Sequence, residues 1–291
     1  MWTPRPVLAR HGKGAAPAMR YHMGLRCDNM VSDINDAPRE VRPLWLTKYP
    51  KHQAPCPLRH APCLIPPASP NPHISRDNAM HLTSINRGDA ERLGNRKSKT
   101  GIFKRPIDEG VVITQTGIPH DAVCNKKHHG GPDQALYLYG EADYDFWRRE
   151  LGRALPPGTF GENLTISELR SDILAIGDLL QIGAVTLQVS APRIPCSTFA
   201  ERMAEPMWVQ RFRAAERPGV YCRVLQGGPI AVGDEVSVVP YSGERVSIVQ
   251  MFRDFYQKSL DDATLRRYLA LPIAIRSRSD YEAQLAQRPT G

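Results

Sequence analysis

The sequence predicts a mainly β domain, a closed or partly closed barrel with a few helices and a small helical tail. Three observations predict it: many short runs rich in β-branched and aromatic residues, turn residues between them, and a change to helical spacing after Pro240. The 291 residues suffice for one large domain or two smaller ones. No apolar run approaches the roughly 20 residues of a membrane-spanning helix, so no membrane association is expected.

Residues 1–79 differ in character from the rest of the chain. They hold 13 of the 26 prolines and 5 of the 9 histidines. Runs such as Ile65-Pro-Pro-Ala-Ser-Pro70 interrupt both helix and strand. The expectation is a disordered extension, or one that precedes a true start at Met80. It carries 11 Lys/Arg against 5 Asp/Glu, a net +6 of the chain's +8. The remaining +2 gives the body no global bias towards nucleic acid, which argues against a nucleic-acid partner.

From residue 98 the elements come in order. The runs 111–116, 135–139, 179–182, 185–190, 219–225 and 235–239 read as strands. Gly183-Ala184 separates two of them as a hairpin turn, and Gly227-Gly-Pro229 marks another turn. Helical patches fall at 141–151 and 204–217, within a domain expected over 80–240. The tail, 241–291, reads as three short helices docked on the barrel. Ile248, Met251, Phe252 and Phe255 share one face of the first helix. Ser259-Leu-Asp-Asp262 and Ser277-Arg-Ser-Asp280 read as N-terminal capping boxes for the others.

Three segments carry chemistry. In Asn125-Lys-Lys-His-His-Gly-Gly-Pro-Asp133, two glycines free the backbone to turn its N–H groups onto an anion. Lys126 and Lys127 add charge, His129 a donor that titrates near neutrality, and Asp133 a group to orient it. A plain surface turn explains the same spacing equally well. In Thr159-Phe-Gly-Glu-Asn-Leu164, Gly161 permits close approach, and Glu162 and Asn163 offer polar groups beside Phe160. A strand-entry turn is the simpler account of this loop alone. In Pro192-Arg-Ile-Pro-Cys196, two prolines stiffen the approach to Cys196, and Arg193 favours an anionic sulfur that suits molybdenum, copper(I) or zinc. The rival reading is a packed structural cysteine.

Cys124 and Cys222 have no such setting, Cys222 lying mid-strand. Cys124, His128, His129 and Cys196 offer zinc-binding atoms, but not at the short spacing of closed sites. The three cysteines of the body, an odd number, irregularly spaced and without a C-x-x-C pair, point to a reducing compartment, the cytoplasm.

With these segments in hand, the sequence resembles the MOSC domain family, the molybdenum cofactor sulfurase C-terminal domain. The matching pieces are Lys126–Leu136, Phe160-Gly-Glu-Asn-Leu164, Ile176-Gly-Asp178 and Val189–Cys196, in that order. The tail resembles the three-helix extension of stand-alone bacterial members linked to 6-N-hydroxylaminopurine detoxification. The resemblance implies a barrel related to the pyruvate kinase insert domain, binding the molybdenum cofactor (molybdopterin). It implies Cys196 as the molybdenum ligand and cofactor contacts from Lys126, Lys127, His129, Gly130, Gly131, Asp133, Phe160, Gly161, Glu162, Asn163 and Arg193. The pyridoxal phosphate-dependent half of larger members has no room here.

The activity so implied is reduction of a small N-hydroxylated base analogue to its amine, with Cys196 and His129 as catalytic residues and His129 as proton donor. No flavin or nicotinamide motif is visible, so a separate flavin or iron–sulfur reductase must supply electrons. A homodimer is compatible with the resemblance. Alternatives are a non-catalytic cofactor carrier or sulfur-handling module using Cys196, and a metal-free thiol hydrolase using Cys196 and His129.

Overall fold

The computed structural model describes residues 79–127 and 129–288. The disordered extension expected over residues 1–79 lies, but for Ala79, outside the described residues. Seven strands close a barrel: β1 (Met80–Gly88), β6 (Leu136–Gly140), β7 (Leu164–Ile166), β8 (Leu179–Ile182), β9 (Val185–Pro192), β10 (Val220–Gln226) and β12 (Glu235–Val239). Their order is β12-β8-β9-β10-β6-β7-β1, and β1 returns to β12 through Met80 opposite Val236. Only β6 and β7 run parallel; every other neighbouring pair in the barrel is antiparallel. The Gly183-Ala184 turn joins β8 to β9, with Ile182 opposite Val185. Between β1 and β6, the short strands β2 (Glu91–Arg92) and β3 (Lys99–Thr100) pair with each other, and β4 (Lys104–Pro106) pairs with the end of β1.

Closure buries an aliphatic interior. Leu82, Ile85, Leu138, Leu164, Ile166, Leu180, Leu187, Val189 and Val220 are all fully buried in one cluster. On β6 the alternation Leu-Tyr-Leu-Tyr puts Leu136 and Leu138 inside, while Tyr137 and Tyr139 join a second, aromatic cluster. That cluster covers the barrel with α1 (Glu141–Leu151), α2 (Ser197–Met203) and α3 (Trp208–Ala215).

Several elements depart from expectation. Sequence reading passed over β1 and β7: β1 carries a register shift between Leu82 and Ser84 that breaks its period of two, and β7 has only three residues. Of the run 111–116, only β5 (Val111–Ile113) is strand; Thr114 then bonds back to Gly117. It pairs with β11 (Gly228–Ile230), so the expected turn at 227–229 narrows to Gly227. The helical patch 204–217 is shortened: α2 stops at Ala204, φ +52°, and α3 starts only after Pro206 and Met207.

Three helices follow the barrel: α4 (Ile248–Asp254), α5 (Asp262–Leu269) and α6 (Ile275–Ala286). Ile248, Met251 and Phe252 are buried, but Phe255 lies beyond the helix end and is half exposed. Ser247 caps α4 by accepting from Gln250 N at 3.0 Å. The proposed boxes are not the caps: Asp261, not Ser259, caps α5, and Ser277–Asp280 lies inside α6, whose N-cap is Ala274. Among the described residues no helix is long and apolar enough to cross a membrane. The Ile176-Gly-Asp178 piece is a structural turn. Fully buried Asp178 accepts from Ala175 N and Tyr241 N at 2.8 Å and pairs with Arg245 at 3.0 Å.

Candidate functional site

Strand β9 ends at Pro192, and the chain then runs through Arg193 to Cys196, the N-cap of α2. Arg193 is 5% exposed, and its guanidinium carbon lies 4.6 Å from the Tyr137 ring centre and 4.3 Å from that of Phe199. Held between two rings, the cation gains quadrupole attraction but no bonded counter-charge; burial works against it, and Tyr221, Tyr137, Cys196 and Glu162 act on it through space. Among the described residues it forms no salt bridge, and its buried Nε has no hydrogen-bond partner. Native buried charges are ordinarily paired, so an unpaired guanidinium marks a place for an anion. Cys196 is a free, half-buried thiol within electrostatic reach of Arg193.

The Gly-Gly loop faces the same charge. Gly130 (φ +69°) and Gly131 (φ +86°) both occupy the left-handed region that favours glycine. Neither N–H bonds to a described residue, whereas the N–H of His129 is taken by the Asn125 carbonyl at 2.9 Å. Lys126 and Lys127 are exposed on the loop. His129 is half-buried; burial first, and then the charges of Arg193 and Arg276, lower its pKa to about 4. The expectation of a donor titrating near neutrality is therefore corrected: the imidazole is neutral at pH 7. Nor does Asp133 orient it. One Asp133 oxygen lies 2.9 Å from Arg223 Nε and the other accepts from Ile275 N at 2.7 Å, joining the loop to β10 and α6.

The Phe-Gly-Glu-Asn segment works mostly from behind. Phe160 is fully buried and stacks on Tyr139 at 4.5 Å. Glu162 is fully buried, and its Oε1 accepts from Tyr144 at 2.5 Å, Gly158 N at 2.6 Å and Thr165 at 3.0 Å. Burial holds its pKa above the usual carboxylate range despite these donors. Asn163 accepts from Tyr137 N at 3.1 Å and donates to Asp121 at 2.9 Å, so its amide braces β6 against the loop at 121. Gly161 alone reaches the site: a Cβ there would sit 3.6 Å from Arg193 Nη1.

Thus Arg193, Cys196, His129 and Gly161 come together, with the free Gly130 and Gly131 N–H groups on the adjoining loop. Phe160, Glu162, Asn163 and Asp133 support that group from the core. Sequence reasoning missed Tyr137 and Phe199, which hold Arg193. It also missed Arg276 and the buried Lys104–Asp121 pair, which Asn163 joins. The Leu-Tyr-Leu-Tyr alternation could have flagged Tyr137 as leaving the barrel interior; the others carry no local signal. Among the described residues no three His, Cys, Asp or Glu side chains are grouped to hold a metal ion. Any metal here would rest on one protein sulfur and on ligands of its own.

The same segments decide the family. The MOSC domain profile matches residues 125–237, spanning the Gly-Gly loop, the Gly-Glu-Asn segment and Cys196. The YflK protein of Bacillus subtilis is 30% identical over 191 residues, 65% of this chain and 86% of its own length. The chain belongs to the MOSC domain family. The crystal structure of YiiM from Geobacillus stearothermophilus matches 71% of this MOSC chain and 99% of that one, with a TM-score of 0.60 and 27% identity. A Gibberella moniliformis protein named a reductase is 29% identical over 182 residues, 60% of this chain but only 32% of its own length. This MOSC chain thus spans about a third of that relative.

Proposed function

We propose that this MOSC protein binds a molybdenum cofactor through Cys196 and Arg193 and reduces N-hydroxylated compounds to amines. The observation that carries the reading is the unpaired, buried Arg193 guanidinium beside a half-buried thiol. That donor set fits the group: one soft sulfur for the metal, and fixed positive charge for an anionic pterin. When bound, the cofactor would supply the two electrons that, with two protons, turn an N–OH group into N–H and water. The fungal relative's name, reductase, supports the direction of the chemistry.

This chain's own residues have definite tasks under that reading. Cys196 Sγ holds the metal. Arg193 binds negative charge on the cofactor, and the planes of Tyr137 and Phe199 keep it from turning away. Gly161 leaves room for close approach, and the Gly130 and Gly131 N–H groups donate to anionic oxygen. His129, neutral at pH 7, contributes a hydrogen bond; it becomes the acid only after bound negative charge has raised its pKa from about 4. Electrons come from a separate flavin or iron–sulfur protein.

The test is elemental analysis and turnover of Cys196→Ala beside the natural chain, both prepared with molybdenum and driven by a chemical reductant. We expect the variant to lack molybdenum and to leave an N-hydroxylated purine unreduced. Equal metal content and equal turnover in the two would defeat the proposal. Metal retained without turnover in the natural chain would make it a carrier instead.

A further inference from the structure

The first turn of α6 is built into the Gly-Gly loop. Ile275 N donates to the Asp133 carboxylate at 2.7 Å, and Ala274 N to the Ser190 carbonyl of β9 at 3.0 Å. Arg276 reaches further. Its guanidinium donates to the Lys126 carbonyl at 3.0 Å, the His129 carbonyl at 3.3 Å and Gln134 Oε1 at 2.5 Å. These partners lie 142 to 150 residues away in sequence. Arg223 backs the join, donating to the Ile273 carbonyl at 3.0 Å while it lies beside Asp133.

The direction of these bonds matters. In a trans peptide the carbonyl and the N–H point opposite ways. Fixing the His129 oxygen on Arg276 therefore aims the Gly130 N–H away from Arg276. Fixing the Lys126 oxygen does the same for the Lys127 N–H. A loop with two glycines at positive φ has other conformations open to it, and something must choose among them.

We propose that Arg276 is a positioning residue for the anion-binding loop, selecting the conformation in which the N–H of Gly130 faces the Cys196–Arg193 pocket. The proposal rests on reading the loop as part of the cofactor site. The helical tail is then part of the site, because its α6 supplies the residue that shapes a loop it does not belong to. Arg276 also has a second effect, separable from the first: after burial and the Arg193 charge, its own charge adds to what keeps the His129 imidazole neutral.

Two substitutions separate the hydrogen bonds from the charge. Arg276→Gln removes both the charge and the fork; Arg276→Lys keeps the charge but cannot span two carbonyls and Gln134 together. Two readouts apply to the full chain without cofactor: hydrogen exchange at the His129 amide, which the Asn125 carbonyl holds, and the His129 titration followed by imidazole proton resonances, identified with His129→Gln. We expect exchange to quicken about tenfold or more in both variants. The His129 pKa should rise by about half a pH unit or more in Arg276→Gln and stay near 4 in Arg276→Lys. Natural exchange rates in folded Arg276→Lys would overturn the proposal; an unmoved His129 in Arg276→Gln would overturn only the separate charge effect. If Arg276→Gln fails to fold, the exchange rates of Arg276→Lys decide alone. Faster exchange in a variant that keeps full molybdenum content would leave Arg276 as the loop's holder and refute the loop's share in cofactor binding.

Discussion

The barrel interior and the aromatic layer outside it are both fully buried, yet they do different work. The interior is aliphatic, drawn from all seven strands of the barrel, and it closes the sheet. The outer layer gathers Tyr137, Tyr139, Tyr144, Trp147, Phe160, Phe199, Trp208 and Phe212 from a strand, a loop and three helices. Its ring pairs are directional, such as Tyr139 on Phe160 at 4.5 Å and Phe199 edge-on to Trp208 at 5.4 Å. Two of its rings end on Arg193. Aliphatic packing fixes a shape, whereas flat rings with hydrogen-bonding tips also fix the orientation of what rests on them. Tyr137 shows both properties: its hydroxyl donates to the Pro218 carbonyl at 2.8 Å while its face carries the guanidinium.

The sharpest way to break this comparison is to remove one large side chain from each core. Phe199→Ala should cost about 3–5 kcal/mol, and Leu187→Ala in the barrel about 2–5 kcal/mol. Urea unfolding gives those values. The two should then differ in binding: under conditions where both remain folded, phosphate titration monitored at the Arg193 side-chain resonances should fail only in Phe199→Ala. Equal phosphate affinity in the two folded variants would remove the distinction between the cores.

A smaller effect sharpens the comparison at the loop. His129 has a folded pKa of about 4, below its unfolded value of 6.5. Its contribution to stability is therefore complete above pH 6.5 and is lost as pH falls through 4. Allowing for its partial exposure, the loss is about 2 kcal/mol. The difference in urea midpoint between the natural chain and His129→Gln, measured at pH 7.5 and 4.5, should show it. A pH-independent difference would mean that the loop leaves His129 in water.

How far the sequence reveals this molecule depends on the same division. The barrel was legible because each strand repeats its pattern locally: Val185–Ser190 and Glu235–Val239 can be read without knowing their partners. The exceptions, β1 and β7, are the strands whose local pattern a bulge or brevity erases. The site was legible only where a local chemical signature exists, as in Gly130-Gly131 and the Pro-framed Cys196. The polar residues of those motifs were easy to single out and hard to assign. Asn163 and Asp133 spend their hydrogen bonds on the protein itself, as does Glu162 Oε1, while Glu162 Oε2 is buried without a partner. Arg276 and Phe199 could not be found, because what they do depends on partners far along the chain. An arginine that caps two distant carbonyls looks like any other arginine on a helix.

The smallest expected effect concerns Arg193, and it tests whether the aromatic layer serves stability or the site. If the layer were there only to stabilise the fold, its central cation would contribute, and replacing it would weaken the protein. The structure argues otherwise. Arg193 is 5% exposed, lacks a salt bridge among the described residues, and leaves Nε without a partner. Cation–π contacts with Tyr137 and Phe199 recover part of the desolvation, on the order of 1–2 kcal/mol, against several kcal/mol for burying the charge. Arg193→Met keeps an unbranched apolar side chain between the same two rings and removes the charge. It should therefore raise stability, by about 1 kcal/mol in urea unfolding, while phosphate binding disappears. A loss of 2 kcal/mol or more would mean that the guanidinium is a structural part of the aromatic core; a gain would mean that the fold holds an unfavourable charge in place for a ligand to neutralise.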